Sequence, residues 1–313
     1  MRPVRERERI LVIKHGALGD FVLATGPFAA IRRHHAGAEI TLITIRPFDA
    51  LARETGWFDD VWIDDRPGWT QPLAWAALRR RLIAGRFARV YDLQTSDRSA
   101  HCFRLFPRAR RPEWSGAARG CSHPHANPRR DFMHTVERQA EQLAHAGIAD
   151  VPPPDLDWLD AGIAEFDMPA RIALLAPGGA AHRPAKRWPA ERYAALARQL
   201  ADGGVTPVLL GAGAEAGLLA EIAAGAPGAI DLFGRTGLGQ IAALARRAEF
   251  AVGNDTGPMH IVAACGCPTA VLFSHESDPA LCAPRGTVTV LRRDPLSALT
   301  VDDVRDSVRS MAR

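Results

Sequence analysis

Short apolar runs alternate with amphipathic stretches along almost the whole chain. "RILVIK" (9–14), "EITLIT" (39–44) and "RVYDLQ" (89–94) have strand length and few interior polar residues, and "DVWID" (60–64) is a weaker run of the same kind. Between the first two, "DFVLATGPFAAIRRHH" repeats apolar residues at helical spacing. After the proline cluster "VPPPDLDW" (151–158) a second series begins: "RIALLAP", the helical "PAERYAALARQLADGG", "VTPVLLG", the helical "AEAGLLAEIAAG", "AIDLFG", the helical "LGQIAALARRA", "EFAVG", the helical "PMHIVAAC" and "PTAVLF". Apolar runs of four to six residues separated by helical patterns predict parallel strands covered on both faces. Two such series predict an α/β protein of two doubly wound, Rossmann-like domains, residues 1–155 and 156–313, facing across a cleft. At the end of the chain Thr300 and Asp303 have capping-box spacing, so a terminal helix is expected, one that packs on its own domain or back on the first.

The length, 313 residues, fits two domains. A formal charge of +4 is too small to mark a nucleic-acid binder. The five cysteines, at 102, 121, 265, 267 and 282, form no CxxC pair. They read as buried thiols rather than zinc ligands or a disulfide framework. The start of the chain has too short an apolar run for a signal segment, and no stretch reaches membrane-spanning length without charge, so a cytoplasmic protein is expected, with a peripheral contact at a membrane surface left open.

Ligands of doubly wound sheets bind beyond the carboxyl ends of the strands, so the polar turns there are the candidate sites. "KHGALGD" follows the first strand. Gly16 and Gly19 free the backbone for a tight turn and close approach to a ligand, Lys14 precedes them, and Asp20 is either a helix cap or a carboxylate able to accept a proton from an attacking hydroxyl. The spacing is G-x-x-G, not the dinucleotide fingerprint, which disfavours a dehydrogenase. "APGGAAHRPAKRWPAERY" (176–193) sets Lys186 and Arg187 ahead of a helix start, either an anion site or a solvated basic loop with Trp188 as its anchor.

"GNDTGPMH" (253–260) turns from a strand into a helix and carries more polar groups than a turn requires. Pro258 suits the first helical position, which leaves Thr256 and Gly257 at the cap with free backbone N–H groups, while His260 reaches the same anion from the first turn. Asp255 either fixes the loop through backbone N–H groups or binds a sugar hydroxyl. In "GAGAEAG" (211–217) Glu215 is a ribose ligand or an exposed carboxylate favoured by a helix dipole.

Residues 101–130 hold seven arginines, three histidines and one acid without regular periodicity. They predict a long loop, either without a role or an electropositive landing surface through Arg104, Arg108, Arg110 and Arg111 for a phosphorylated substrate or anionic membrane. The adjacent acids Asp59–Asp60 and Asp64–Asp65 read as surface charge. No P-loop, HExxH, GxSxG or metal-chelating D-x-D pattern occurs, so no metal or cofactor is expected.

Taken together, "KHGALGD", "AKRWP" (185–189) and "VGNDTGPMHIVAACGCPTAVLF" (252–273) give the chain its likeness: it resembles the heptosyltransferases, glycosyltransferase family nine. The resemblance implies a two-domain GT-B fold and transfer of a heptose from ADP-heptose to the inner core of lipopolysaccharide at the cytoplasmic face; the mechanism expected is an inverting, metal-independent displacement onto that or a related anionic glycan, and the confinement of the basic stretch to one segment disfavours a nucleic-acid partner. It implies that Asp20 is the base, that Lys186 holds donor phosphate, that Asp255, Thr256, Gly257 and His260 form the diphosphate loop, and that Glu215 contacts the ribose. Where family members often continue into Gly-Pro-Thr-Asp-Pro, this chain has "FSHESDP" (273–279). The rival readings are another GT-B nucleotide-sugar enzyme, with a different donor or epimerase chemistry, and a non-catalytic nucleotide-sugar-binding protein.

Overall fold

The computed structural model describes residues 7–179 and 182–311. The chain divides into two compact units, Met1–Pro153 and Pro154–Arg313. In the first, the order is β1 (Arg9–Ile13), α1 (Leu18–Leu23), α2 (Thr25–His34), β2 (Glu39–Thr44), α3 (Phe48–Glu54), β3 (Asp60–Ile63), α4 (Pro72–Ala84), β4 (Arg89–Asp92), α5 (Asp97–Leu105), β5 (Glu113–Gly116), β6 (His123–Pro124) and α6 (Thr135–His145). All its strands pair in parallel, in the spatial order β3-β2-β1-β4-β5-β6. The single expected helix after β1 is two. Pro27 has no N–H to donate and its ring crowds the carbonyl of Leu23, so the helix breaks at Ala24.

The second unit repeats the plan with β7 (Ile172–Ala176), α7 (Ala190–Asp202), β8 (Thr206–Leu209), α8 (Ala216–Gly225), β9 (Ile230–Asp231), α9 (Leu238–Arg247), β10 (Phe250–Asn254), α10 (Gly257–Ala264), β11 (Thr269–Phe273), α11 (Pro279–Cys282), β12 (Val288–Arg292) and α12 (Val301–Met311). Its parallel sheet runs β12-β11-β10-β7-β8-β9. Thr300 and Asp303 exchange side-chain-to-backbone bonds of 3.1 and 3.0 Å, the reciprocal pair that starts α12. Val304 and Val308 of that helix join the core of the second unit, beside Trp188, Leu196 and Leu272.

In each sheet the strand order reverses at one place, between β1 and β4 and between β7 and β10. Chains leaving adjacent strands there diverge to opposite faces and open a crevice at the carboxyl edge. The burial pattern agrees with sheets covered on both sides: Ile10, Leu11, Val12 and Ile13 are inaccessible to solvent, as are Leu174 and Leu175 to within a percent.

The Arg-rich segment 101–130 is not the long loop expected. It contributes the end of α5 and the strands β5 and β6. The strands carry no apolar run to mark them, β5 reading Glu-Trp-Ser-Gly and β6 His-Pro. They form because Trp114 is buried against Phe103 and Phe106, with ring centroids 5.3 and 6.4 Å apart.

Candidate functional site

At the reversal point of the second sheet the loop after β7 meets the turn after β10, and Asn254 ties them together. Its side chain is fully buried. The amide Nδ2 donates to the carbonyls of Pro177 (2.6 Å) and Gly178 (3.0 Å), and Oδ1 accepts from the Trp188 backbone N–H and the Tyr193 hydroxyl, both at 3.1 Å. All four of its bonds fix backbone or core, so Asn254 is scaffold. Trp188 completes the anchor, its indole donating to the Leu299 carbonyl at 2.9 Å.

On that scaffold the Lys186 ammonium lies 2.6 Å from Asp255 Oδ2, both side chains being about nine-tenths buried. The Ser277 hydroxyl donates to the same oxygen at 2.7 Å. Asp255 thus holds two side chains from neighbouring loops, where backbone N–H groups or a sugar were expected as its partners. The next residue, Thr256, is the N-cap of α10, and its hydroxyl makes no capping bond. Gly257 opens the helix and Pro258 follows, so the first-turn N–H groups and the helix dipole lie beside the lysine. His260 is buried one turn further on.

Glu215 closes the Gly-rich side. Its carboxylate accepts from Gly179 N (2.9 Å) and Ala212 N (3.1 Å). A Cβ on Gly178 would stand 1.8 Å from Glu215 Oε1, so this close approach needs glycine. Arg187 donates to the Gly179 carbonyl at 2.7 Å. Ala180 and Ala181 of this loop lie outside the described residues.

The first unit assembles a separate cluster at the carboxyl edge of β1 and β4. Lys14 is buried, and burial pushes its ammonium below the ordinary lysine range, opposed by the negative charge of Asp20 and Asp92 and reinforced by Arg138. Gly16 has φ +104°, and a Cβ there would meet Phe48 at 2.2 Å, so the turn is closed to other residues. Gly19 is buried inside α1. Asp20 is the third residue of α1, whose cap is Ala17, so it does not cap the helix; it sits half-exposed in the first turn.

Two buried carboxylates frame this turn. His15 Nε2 lies 3.2 Å from Asp64, which also takes Arg98 at 3.2 Å. Burial would raise the Asp64 carboxyl, but His15, Arg98 and the Arg66 N–H outweigh it and hold it well below the usual range. Asp64 is therefore not surface charge. The His15 N–H donates to Gln94 Oε1 at 2.9 Å, stitching β1's turn to β4's. Asp92 is fully buried, with Oδ1 accepting from Gln94 N and Thr95 N and no hydrogen-bond partner at Oδ2. Burial lifts its pKa to about 6, against the pull of those N–H groups, Ser99 and His15.

The structure does not bring the predicted arginines to Asp20. Arg108, Arg110 and Arg111 immediately precede β5 and so lie at the amino edge of the sheet, opposite to Lys14 and Asp20. Arg111 stacks on Phe103 at 4.3 Å, and Arg104 is exposed on α5. The cation within electrostatic reach of both Lys14 and Asp20 is Arg138 of α6, with Arg130 next to it. Local spacing carries no signal for Arg138. Ser277 was in view, within "FSHESDP" after β11. Among the described residues no group of three or more His, Cys, Asp or Glu is arranged to hold a metal ion.

Residues 75–293 match glycosyltransferase family 9 (heptosyltransferase). Over 104 residues the chain is 38% identical to lipopolysaccharide heptosyltransferase 2 of Escherichia coli K12, a stretch spanning 32% of this chain and 30% of that relative. A glycosyltransferase family 9 structure from Veillonella parvula superposes with a TM-score of 0.82 at 21% identity, covering 97% of both chains. The E. coli heptosyltransferase WaaC with ADP gives 0.74 at 22% identity over 96% of this chain and 99% of that one. These likenesses agree with the expected α/β class and with paired sheets of the GT-B kind. The match across most of the chain and the shared fold lead to one conclusion: this chain belongs to glycosyltransferase family 9, the heptosyltransferases.

Proposed function

We propose that the chain transfers a heptose from ADP-heptose to an inner-core lipopolysaccharide or related anionic glycan acceptor, by an inverting displacement that uses no metal. The family supports the class of reaction, and the relatives' names, lipopolysaccharide heptosyltransferase and WaaC with ADP, support the donor and acceptor.

The observation that carries the reading is the placement of Lys186 beside the α10 N-terminus at the reversal point of the second sheet. A leaving nucleoside diphosphate gains negative charge as the glycosidic bond breaks. A fixed ammonium, the Thr256 hydroxyl, the Gly257 N–H and the helix dipole stabilise that growing charge. Asp255 orients the ammonium, His260 lines the same turn, and Glu215 meets the ribose with the lone pairs that the loop leaves over. In the first unit Asp20 takes the proton of the acceptor hydroxyl, with Lys14, Gly16 and Gly19 shaping its turn and Arg138 as the neighbouring cation of α6. The acceptor is a glycolipid, and the enzyme works as a peripheral protein at the cytoplasmic face. No helix among the described residues is long and apolar enough to cross a membrane.

The test is product analysis with ADP-, UDP-, GDP- and CDP-sugars. Heptose transfer from ADP-heptose alone, with inversion and undiminished by chelator, is the expected result. Turnover of another nucleotide sugar, isomerisation without transfer, or binding without turnover on any acceptor would each replace the reading.

A further inference from the structure

The largest exposed apolar side chains of the described residues include two at the start of α4: Trp69, 66% exposed, and Leu73, 85% exposed. Trp75 and Leu82 turn inward on this helix, with Leu78 packed against the core. Leu73, Ala76 and Ala77, spaced i, i+3 and i+4, are all exposed, so the first half of α4 has a second, solvent-facing apolar stripe, which Arg80 ends at i+7. Trp69 is held rigidly out of the core, stacked on Trp75 at 5.2 Å with His101 edge-on at 5.4 Å.

The stretch of chain that carries this stripe is charged with one sign, and the nearest exposed carboxylate, Asp65, shares a cleft with Ala77 and faces Arg81. Residues 66–86 contain five arginines and no carboxylate. Arg81 is engaged over the Trp62 ring at 4.1 Å, whereas Arg79 and Arg80 are exposed beside the stripe. We propose that this face of α4 docks on an anionic lipid surface, with Trp69 and Leu73 entering the interface and Arg79 and Arg80 meeting the headgroup phosphates. An indole with one apolar side and one wet side suits that boundary. A second copy of the chain fits worse, because a two-fold contact through this face would set the arginines against their own copies.

The position of the face bears on the acceptor. Trp69 and the start of α4 follow β3, at the carboxyl edge of the first sheet where Lys14 and Asp20 lie. A chain of contacts joins the two places: His15 to Asp64 at 3.2 Å, Asp64 to Arg98 at 3.2 Å, Arg98 over Trp75 at 4.9 Å, and Trp75 to Trp69. Docking there would bring the Asp20 edge to a lipid-borne acceptor. The inference rests on the glycolipid reading above and replaces the Arg108–Arg111 segment as the landing surface.

The experiment is co-sedimentation of the full chain with vesicles of phosphatidylcholine alone and of phosphatidylcholine mixed with phosphatidylglycerol. Trp69→Ser/Leu73→Ser, Arg79→Gln/Arg80→Gln and Arg108→Gln/Arg110→Gln are compared with the parent. The substituted side chains are exposed, and melting curves check that each variant folds. The expected result is binding to the mixed vesicles only. The Arg79/Arg80 pair should lower partitioning about thirtyfold, from roughly fivefold per arginine. The Trp69/Leu73 pair should lower it about tenfold or more, and the Arg108/Arg110 pair should leave it near the parent value. Equal partitioning of all four proteins, loss confined to the Arg108/Arg110 pair, or a change in sedimentation-velocity mass in the Trp69/Leu73 pair in place of a change in vesicle binding would overturn the proposal. Turnover on an acceptor fragment without acyl chains should be unaffected by the α4 variants. If no protein turns that fragment over while the vesicle pattern holds, the transferase reading fails and the docking surface stands.

Discussion

Lys186 and Asp255 meet at 2.6 Å, and neither would be held there without Asn254, whose four hydrogen bonds join the two loops that carry them. The neighbouring residues Asn254 and Asp255 thus have different work. One builds the turn and the other aims a charge. The distinction can be measured, because scaffold and site respond to different probes.

Asn254→Ala should destabilise the protein by about 2–5 kcal/mol, since it strands the buried Trp188 N–H and Tyr193 hydroxyl and frees two loop carbonyls. Urea unfolding is the check, read from the midpoint at unchanged slope. A variant as stable as the parent would show that the loops are held some other way.

Asp20→Asn should reduce kcat by about 10²–10⁴ if Asp20 is the base, while the affinity for ADP stays at the parent value. The asparagine keeps the shape of the first turn of α1 and removes only the proton acceptor. Retention of most of the turnover would reassign the base.

Asp92 gives the fold a pH signature of unusual sign. Its carboxyl is raised to about 6 from an unfolded value of 3.8, so between those values the folded state binds more protons than the unfolded one. Stability from this group therefore falls as pH rises through that window, by on the order of 3 kcal/mol. Asp64 acts oppositely: its depressed carboxyl contributes stability that is lost as pH falls. Urea midpoints of the parent and Asp92→Asn across roughly pH 4 to 7 separate the two. The difference between the proteins should move in favour of the asparagine variant as pH rises. A difference independent of pH would show that the Asp92 carboxyl titrates normally.

The sheet strands with four or more buried apolar residues were legible in the sequence because burial on both faces leaves no polar alternation to confuse the reading. β12 was not, since Val288–Arg292 is a half-exposed edge strand. α4 was missed because Leu73, Ala74, Ala76 and Ala77 are exposed on the same helix that buries Trp75 and Leu82, which blurs the helical period. The polar turns were legible as sites, but the roles within them were not. Asn254, Asp255 and His260 look alike in a string, and only three-dimensional partners show that the first is consumed by scaffold. Asp64 read as surface charge because its partners, His15 and Arg98, come from distant elements. Arg138 is hidden for the same reason, being carried to Asp20 by α6.

The central claim is that the diphosphate of the donor rests on Lys186 at the N-terminus of α10. The direct measurement is a calorimetric titration with ADP at fixed salt of the parent and of Lys186→Ala. The ammonium's charge-assisted contact is worth about 1.5–3 kcal/mol, and its loss also leaves the Asp255 carboxylate facing the phosphates, so affinity should fall by at least about tenfold. Equal ADP affinity in the two proteins would contradict the account.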